Sequence, residues 1–115
     1  MVKNNRSINI CKMISGDKEA IRKSLFSESK YVRMDALIWA TYHCITENDI
    51  IERIKDLKKD NAVLSGYTIG NFAIAALENL NSEKYDGNDE YQKSLIKNFV
   101  PSKEKAAEIL KINSN

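Results

Sequence analysis

The sequence has 115 residues, which is the usual size of one domain and enough to bury a single core without disulfides or metals. Hydrophobic residues make up 43% of it and charged residues 30%, as in soluble globular proteins. No apolar run approaches the roughly 20 residues that span a bilayer, and the N-terminal segment lacks the apolar stretch of a signal peptide. We therefore expect one domain over residues 1–115, located in the cytoplasm and without a membrane partner.

The net charge of +2 is distributed unevenly along the chain. Residues 1–24 carry a net charge of +4, residues 25–92 a net charge of −5, and residues 93–115 a net charge of +3. A nucleic-acid-binding face needs a basic stripe, and the acidic middle of this chain does not provide one. We therefore expect no nucleic-acid partner.

The composition indicates a helical protein. One proline and four glycines leave little turn chemistry for a many-stranded sheet, and apolar residues recur at helical spacing. The fold class is predicted to be all-α. Helices are predicted near 6–15, 17–26, 30–45, 47–59, 67–80, 89–99 and 102–112. Gly16 is predicted to be a C-terminal cap and Pro101 to separate two helices, with N-terminal caps at Thr46, Asn88 and Ser102.

Two stretches of the sequence form an internal repeat. VRMDALIWATYH (32–43) aligns with IGNFAIAALENL (69–80) at an offset of 37 residues, which places Ala36 over Ala73. Each stretch is followed by a second amphipathic helix. Each unit is therefore predicted to be a helical hairpin, which cannot bury its apolar face alone and stacks on its neighbours.

The two units resemble HEAT repeats. The matching residues are Val32, Arg33 and Ala36 in the first unit, and Ile69, Ala73, Ala76, Leu77 and Leu80 in the second. Gly70 departs from the family pattern because it replaces an arginine, and Trp39 and His43 occupy positions where alanine and leucine are usual. The resemblance implies a short HEAT-like α-solenoid of stacked antiparallel helical hairpins.

The small side chains of GNFAIAALENL (70–80) have two possible explanations, a ligand pocket or a close helix crossing. Alanine at a crossing lets two backbones approach while neighbouring large side chains fill the gaps. We therefore favour the crossing and expect no cofactor.

Residues with catalytic or metal-binding potential are scarce. The single histidine, His43, excludes a site with a pair of histidine ligands, and no phosphate-binding glycine motif is present. Residues 85–90 are acidic but lack the spacing of an EF-hand loop. Cys11 and Cys44 lie in apolar helical surroundings without a CxxC motif, which predicts reduced, buried thiols. We expect no catalytic residues, no metal and no enzyme activity.

The clearest candidate for a binding surface is acidic. Asp49, Glu52 and Asp56 are spaced three and four residues apart, so they share one face of the helix at 47–59. If the helix at 89–99 stacks beside it, the patch gains further residues: Asp86, Asp89, Glu90 and Tyr91. The alternative is a solvated helix face softened by basic neighbours.

The HEAT-like resemblance, together with the size of the chain, implies a protein-binding role. The chain is similar to small bacterial immunity proteins, which implies binding to a cognate toxin domain, such as a nuclease. An acidic patch would suit a toxin with a basic cleft. The alternative is an adaptor or assembly scaffold, and a HEAT-like enzyme is a third hypothesis for which the sequence offers no site.

Overall fold

The computed structural model describes residues 5–99, and within them the chain is mostly helical, as predicted. The helices are α1 Asn5–Ile14, α2 Lys18–Ser24, α3 Lys30–Tyr42, α4 Asn48–Asp56, α5 Ile69–Asn79 and α6 Glu90–Phe99, with a short 3-10 helix Leu57–Lys59 after α4. Two short strands, β1 Val63–Leu64 and β2 Tyr67–Thr68, precede α5. The helix predicted at 102–112, its cap Ser102 and Pro101 lie outside the described residues.

Three helices end in the same motif. The chain turns through positive φ at Gly16, Cys44 and Asn81. In each case the next residue donates its N–H to a carbonyl five residues back, as in the bond from Asp17 to Lys12 of 3.0 Å. This is the Schellman motif, which satisfies carbonyls that the helix leaves unpaired. The predicted cap at Gly16 is confirmed, and α3 ends three residues earlier than predicted because Cys44 adopts the left-handed conformation.

The predicted N-terminal caps agree less well with the structure than the predicted C-terminal cap. Ser29 and Thr68 cap α3 and α5 with their hydroxyl oxygens. The predicted cap at Thr46 is wrong, because α4 starts one residue later and its N-cap position is Glu47, whose side chain makes no cap bond. The cap of α6 is Asp89, one residue after the predicted Asn88. The Asp89 carboxylate accepts hydrogen bonds from the N–H groups at the start of α6.

The core forms around α3 and α5. Helix α3 packs against α1, α2 and α5, and α5 packs against α3, α4 and α6. Trp39 of α3 is 1% exposed and lies in one continuous apolar core with Leu77 of α5. The predicted pairing of α3 with α4 in one hairpin is not observed, because the extensive contacts of α3 are with the other three helices.

The small residues of α5 allow close packing. Ala73, Ala75 and Ala76 are fully buried, which agrees with the predicted helix crossing. Gly70 donates its N–H to the Asp60 carbonyl over 2.9 Å. A Cβ atom at Gly70 would lie 2.3 Å from the carbonyl oxygen of Lys58, so only glycine fits there without a shift. The glycine that interrupts the HEAT-like pattern therefore has a local steric cause.

A two-stranded hairpin replaces the start of the helix predicted at 67–80. Ser65 and Gly66 both have positive φ, at 55° and 85°, which is the geometry of a type I′ turn. Leu64 pairs with Tyr67 across the turn, and Val63 pairs with Thr68. The all-α prediction therefore holds for the bulk of the chain but missed this hairpin.

A part-buried ion pair connects the segment before the hairpin to α3. Arg33 of α3 donates to the Asp60 carboxylate over 2.8 Å, and both side chains are mostly buried. Asp60 also accepts from the N–H groups of Ala62 and Gly70. The segment between the 3-10 helix and β1 is thereby bonded to both central helices.

No helix found between residues 5 and 99 has the length and apolar character required to span a lipid bilayer.

Candidate interaction surface

The acidic face predicted on α4 is exposed but partly neutralised by the chain itself. Asp49 accepts a hydrogen bond from Arg22 Nε over 2.5 Å, and this bond lowers the pKa of the Asp49 carboxyl. Glu52 lies 3.4 Å from Lys55 one turn further along α4. Asp56 is exposed near the end of the helix. Two of the three carboxylates therefore have cationic partners within the chain.

The second predicted group lies at the start of α6, where one member has a structural role. The Asp89 carboxylate caps α6 by accepting from the N–H groups of Tyr91 and Gln92. Glu90 is exposed and lies 3.1 Å from Lys93. Asp86 is exposed in the preceding loop. One of the three carboxylates at this end of α6 therefore caps the helix, and the other two are exposed to solvent.

The two predicted groups lie on helices that do not stack directly. Helix α5 packs against both α4 and α6, whereas α4 and α6 share no extended contact. The direct stacking on which the continuous patch depended is therefore not observed. Each group of acidic residues has to be considered separately.

Exposed aromatic and aliphatic side chains flank the β-hairpin, and these were not identified from the sequence apart from Tyr91. The Tyr91 ring stacks on Tyr67 with centroids 4.3 Å apart, and its hydroxyl donates to the Gly66 carbonyl over 3.1 Å. Tyr91 remains 54% exposed in this position. Partial desolvation, together with the neighbouring Tyr91, raises the pKa of the Tyr67 phenol.

The other side of the hairpin carries Tyr31 and Val63, which are 50% and 56% exposed. Lys30 connects them, because its Nζ donates to the Val63 carbonyl over 2.6 Å and lies 5.5 Å from the centre of the Tyr31 ring. Ser65 and Gly66 are exposed at the tip between the two sides. We call the residues Tyr31, Val63, Ser65, Gly66 and Tyr91 the hairpin surface.

One further exposed aromatic lies elsewhere. Phe26, in the turn after α2, is 62% exposed and carries the Arg53 guanidinium over its ring at 4.3 Å. Arg53 also donates to the Leu25 carbonyl over 3.0 Å. The Arg53 guanidinium covers one face of the ring and is hydrogen-bonded to the backbone just after α2, so Phe26 has a packing contact although it is exposed.

The pocket beside the 3-10 helix is small. It measures about 140 Å³ and is lined by Lys58, Ile74, Glu83, Lys84, Tyr85 and Asp86. Sites for drug-sized molecules are usually about 300–1,000 Å³ and mostly apolar. Lys58 and Glu83, which both line this pocket, form an ion pair with each other.

The residues that suggested chemistry have other partners. His43 Nε2 lies 3.0 Å and 2.8 Å from the carbonyl oxygens of Met13 and Ile14, so this ring nitrogen carries the proton and caps the end of α1. Both cysteines are exposed, which corrects the prediction that they are buried. Cys11 faces solvent from α1, and Cys44 is exposed because it forms the turn after α3. Within residues 5–99, no cluster of His, Cys, Asp and Glu has the arrangement of a metal site.

Comparisons with protein-family models, with curated proteins and with solved structures found no match for this chain.

Proposed function

We propose that this chain is a protein-binding module that uses the hairpin surface to bind another macromolecule. The observation that carries the proposal is the group of three large apolar side chains, Tyr31, Val63 and Tyr91, each at least half exposed on the hairpin or beside it. Tyrosine is enriched among the residues that dominate binding energy at protein interfaces. Isolated exposed apolar residues are common, but a group around one turn favours a binding role.

The rigidity of the surface supports the same proposal. The ring stacking of Tyr91 on Tyr67 and the type I′ turn at residues 65–66 hold the surface in one conformation. Side chains that are already ordered lose less conformational entropy when a partner binds.

The toxin-immunity role implied by the family resemblance is the specific form of the proposal. In that form the partner is a toxin domain. The acidic residues at the start of α6 lie beside Tyr91 and would give the surface a negative side suited to a basic cleft. The acidic face of α4 is a second candidate surface for the same partner. It comprises Asp49, Glu52 and Asp56, and variants of these residues test it.

We further propose that the helices stack as a short HEAT-like solenoid whose hairpins are α2 with α3 and α4 with α5, in place of the predicted pairing of α3 with α4. Two observations support this arrangement. Helix α3 packs on α5, and ion pairs link α2 to the start of α4, as in Lys18 with Glu47 at 2.8 Å. The turns at Cys44 and Asn81 follow their helices at the same 37-residue offset as the sequence repeat.

The experiment begins by capturing the partner from the native host with the purified chain and identifying it by mass spectrometry. The purified partner is then titrated by calorimetry with the wild-type chain and with two variants. Truncation at a dominant interface residue costs about 2 kcal/mol or more, or roughly thirtyfold in Kd. The double variant Tyr31→Ala/Tyr91→Ala should weaken binding by at least that factor, whereas Glu52→Lys/Asp56→Lys should change it less.

Phe26→Ala is the matched control, because it removes an exposed aromatic side chain outside the hairpin surface. Melting temperatures establish that each variant is folded. Wild-type affinity in the double tyrosine variant would refute the assignment of the surface. If the partner is a toxin domain, the immunity role predicts that the chain abolishes its toxicity in cells and that the double tyrosine variant does not.

A further inference from the structure

The hairpin surface carries a cation on its α3 side. The Lys30 ammonium lies beside Tyr31 and donates to the Val63 carbonyl. Among the described residues, no carboxylate forms an ion pair with Lys30. An ammonium has three N–H donors, so this group retains the capacity to pair with a carboxylate from outside the chain.

The start of α6, where Tyr91 contacts the hairpin, carries an anion. Glu90 immediately precedes Tyr91, and its side chain is 84% exposed. Its ion pair with Lys93 joins two exposed residues three apart on one helix, and exposed pairs of this type contribute little to stability. The Glu90 carboxylate is therefore available to a second cation at little cost.

Lys30 lies against β1, and Glu90 is next to Tyr91, which contacts the turn and β2. A surface with a cation near one strand and an anion near the other is complementary to itself. A two-fold rotation brings the cation of one copy against the anion of the other. Because the rotation also relates the second pair, the dimer contains two such contacts. We propose that the hairpin surface binds a second copy of this chain, forming a two-fold dimer in which Lys30 of each protomer faces Glu90 of its partner.

The size of the surface sets the strength of the dimer. Standard stable interfaces involve about 20–30 residues on each side, and the hairpin surface with its two charged neighbours is much smaller. The dimer is therefore weak and forms at high protein concentration. This inference does not rest on the proposed function, but where both hold, a second copy and a different partner compete for one surface.

Sedimentation equilibrium of the purified chain, from about 10 µM to about 1 mM, measures the association. The average mass should rise above the monomer mass of 13.1 kDa as concentration increases. Lys30→Glu and Glu90→Lys should each lower the association constant about tenfold, because each reversal creates two like-charge contacts in a symmetric dimer. An equimolar mixture of the two variants should recover association, since both contacts between unlike variants are again between opposite charges.

The single chain carrying both reversals should also associate as the wild type does. Lys12→Glu on α1 is the control, because α1 makes no extended contact with the hairpin, and it should leave association unchanged. Circular dichroism and melting temperature establish that all variants are folded. A monomer mass over the whole concentration range would overturn the proposal. So would association that the reversals do not weaken, or that mixing the two variants does not restore.

Discussion

Gly70→Ala tests the close approach of α5 to the backbone of residues 58–60. Two effects oppose each other at this position. Alanine is more favourable than glycine within a helix by about 1 kcal/mol, which on its own would stabilise α5. Against this, the added Cβ would lie 2.3 Å from the Lys58 carbonyl oxygen and 3.1 Å from the Asp60 carbonyl oxygen. Both neighbours are backbone atoms, so neither can rotate away as a flexible side chain would.

The steric effect should win. Overpacking a well-packed site costs about 1–3 kcal/mol, and occasionally more. Moving the 58–60 segment away from α5 would also weaken the hydrogen bond from Gly70 to Asp60, which contributes about 0.5–1.5 kcal/mol. After the gain in helix propensity is subtracted, we expect Gly70→Ala to lower the free energy of unfolding by about 1–3 kcal/mol.

Urea denaturation followed by circular dichroism measures this change as a lower midpoint at an unchanged slope. Ser94→Ala on the exposed side of α6 is the control for helix propensity and should change the free energy of unfolding by less than about 0.5 kcal/mol. An unchanged or higher midpoint for Gly70→Ala would refute the close approach and, with it, the steric reason for glycine at this position.

Three further predictions concern other features of the fold. Cys44→Gly should raise the free energy of unfolding by about 0.5–1 kcal/mol in urea denaturation, because glycine adopts positive φ without strain. Asn81→Gly should raise the free energy of unfolding by less, because asparagine already tolerates this conformation. Arg33→Ala should lower the free energy of unfolding by about 2 kcal/mol, since it leaves a part-buried carboxylate without its cation; a loss below 0.5 kcal/mol would contradict this. Folding lowers the pKa of the Asp49 carboxyl, so the contact of Asp49 with Arg22 stabilises the fold at pH values above the ordinary carboxyl pKa. This stabilisation is lost as the pH falls through the lowered pKa. NMR titration should show that Arg22→Ala returns the pKa of Asp49 to its ordinary range.

The helices and several of their ends follow from local sequence. Apolar periodicity identifies all the described helices, and Gly16 ends α1 because glycine is the usual residue in the left-handed position. Cys44 takes the same position without any local signal that predicts it. The repeat offers an indirect signal, since Asn81, a residue that tolerates positive φ, occupies the equivalent place in the second unit.

The hairpin was missed because its strands are two residues long and the second runs directly into α5. Helical periodicity extends back through Tyr67 and hides the strand. A signal was nevertheless present. Ser65 and Gly66 form a polar, glycine-containing pair between two short apolar segments, which is a pattern typical of two-residue hairpins.

The candidate site was predictable only in part, for a reason of sequence distance. The spacing of Asp49, Glu52 and Asp56 correctly predicted exposed carboxylates on one helix. The cation that pairs with Asp49 is 27 residues away in the chain, so only the packing of α2 beside α4 reveals it. The position of Val63 likewise depends on the hairpin, which was not predicted, and the Lys30 contact that brings α3 next to Val63 spans 33 residues of sequence.

The energies available at the two surfaces favour the hairpin surface as the source of affinity. Exposed ion pairs contribute about 0–1 kcal/mol, and a partner that approached Asp49 would have to replace the pairing that Arg22 already supplies. By comparison, covering roughly 60 Å² of apolar surface on a half-exposed tyrosine contributes about 1.5 kcal/mol before the entropic cost of association. Charges at the edge of an interface act mainly on the association rate. In the proposed complex, the acidic faces are therefore expected to set the salt dependence of association, and Tyr31 and Tyr91 are expected to set the dissociation rate.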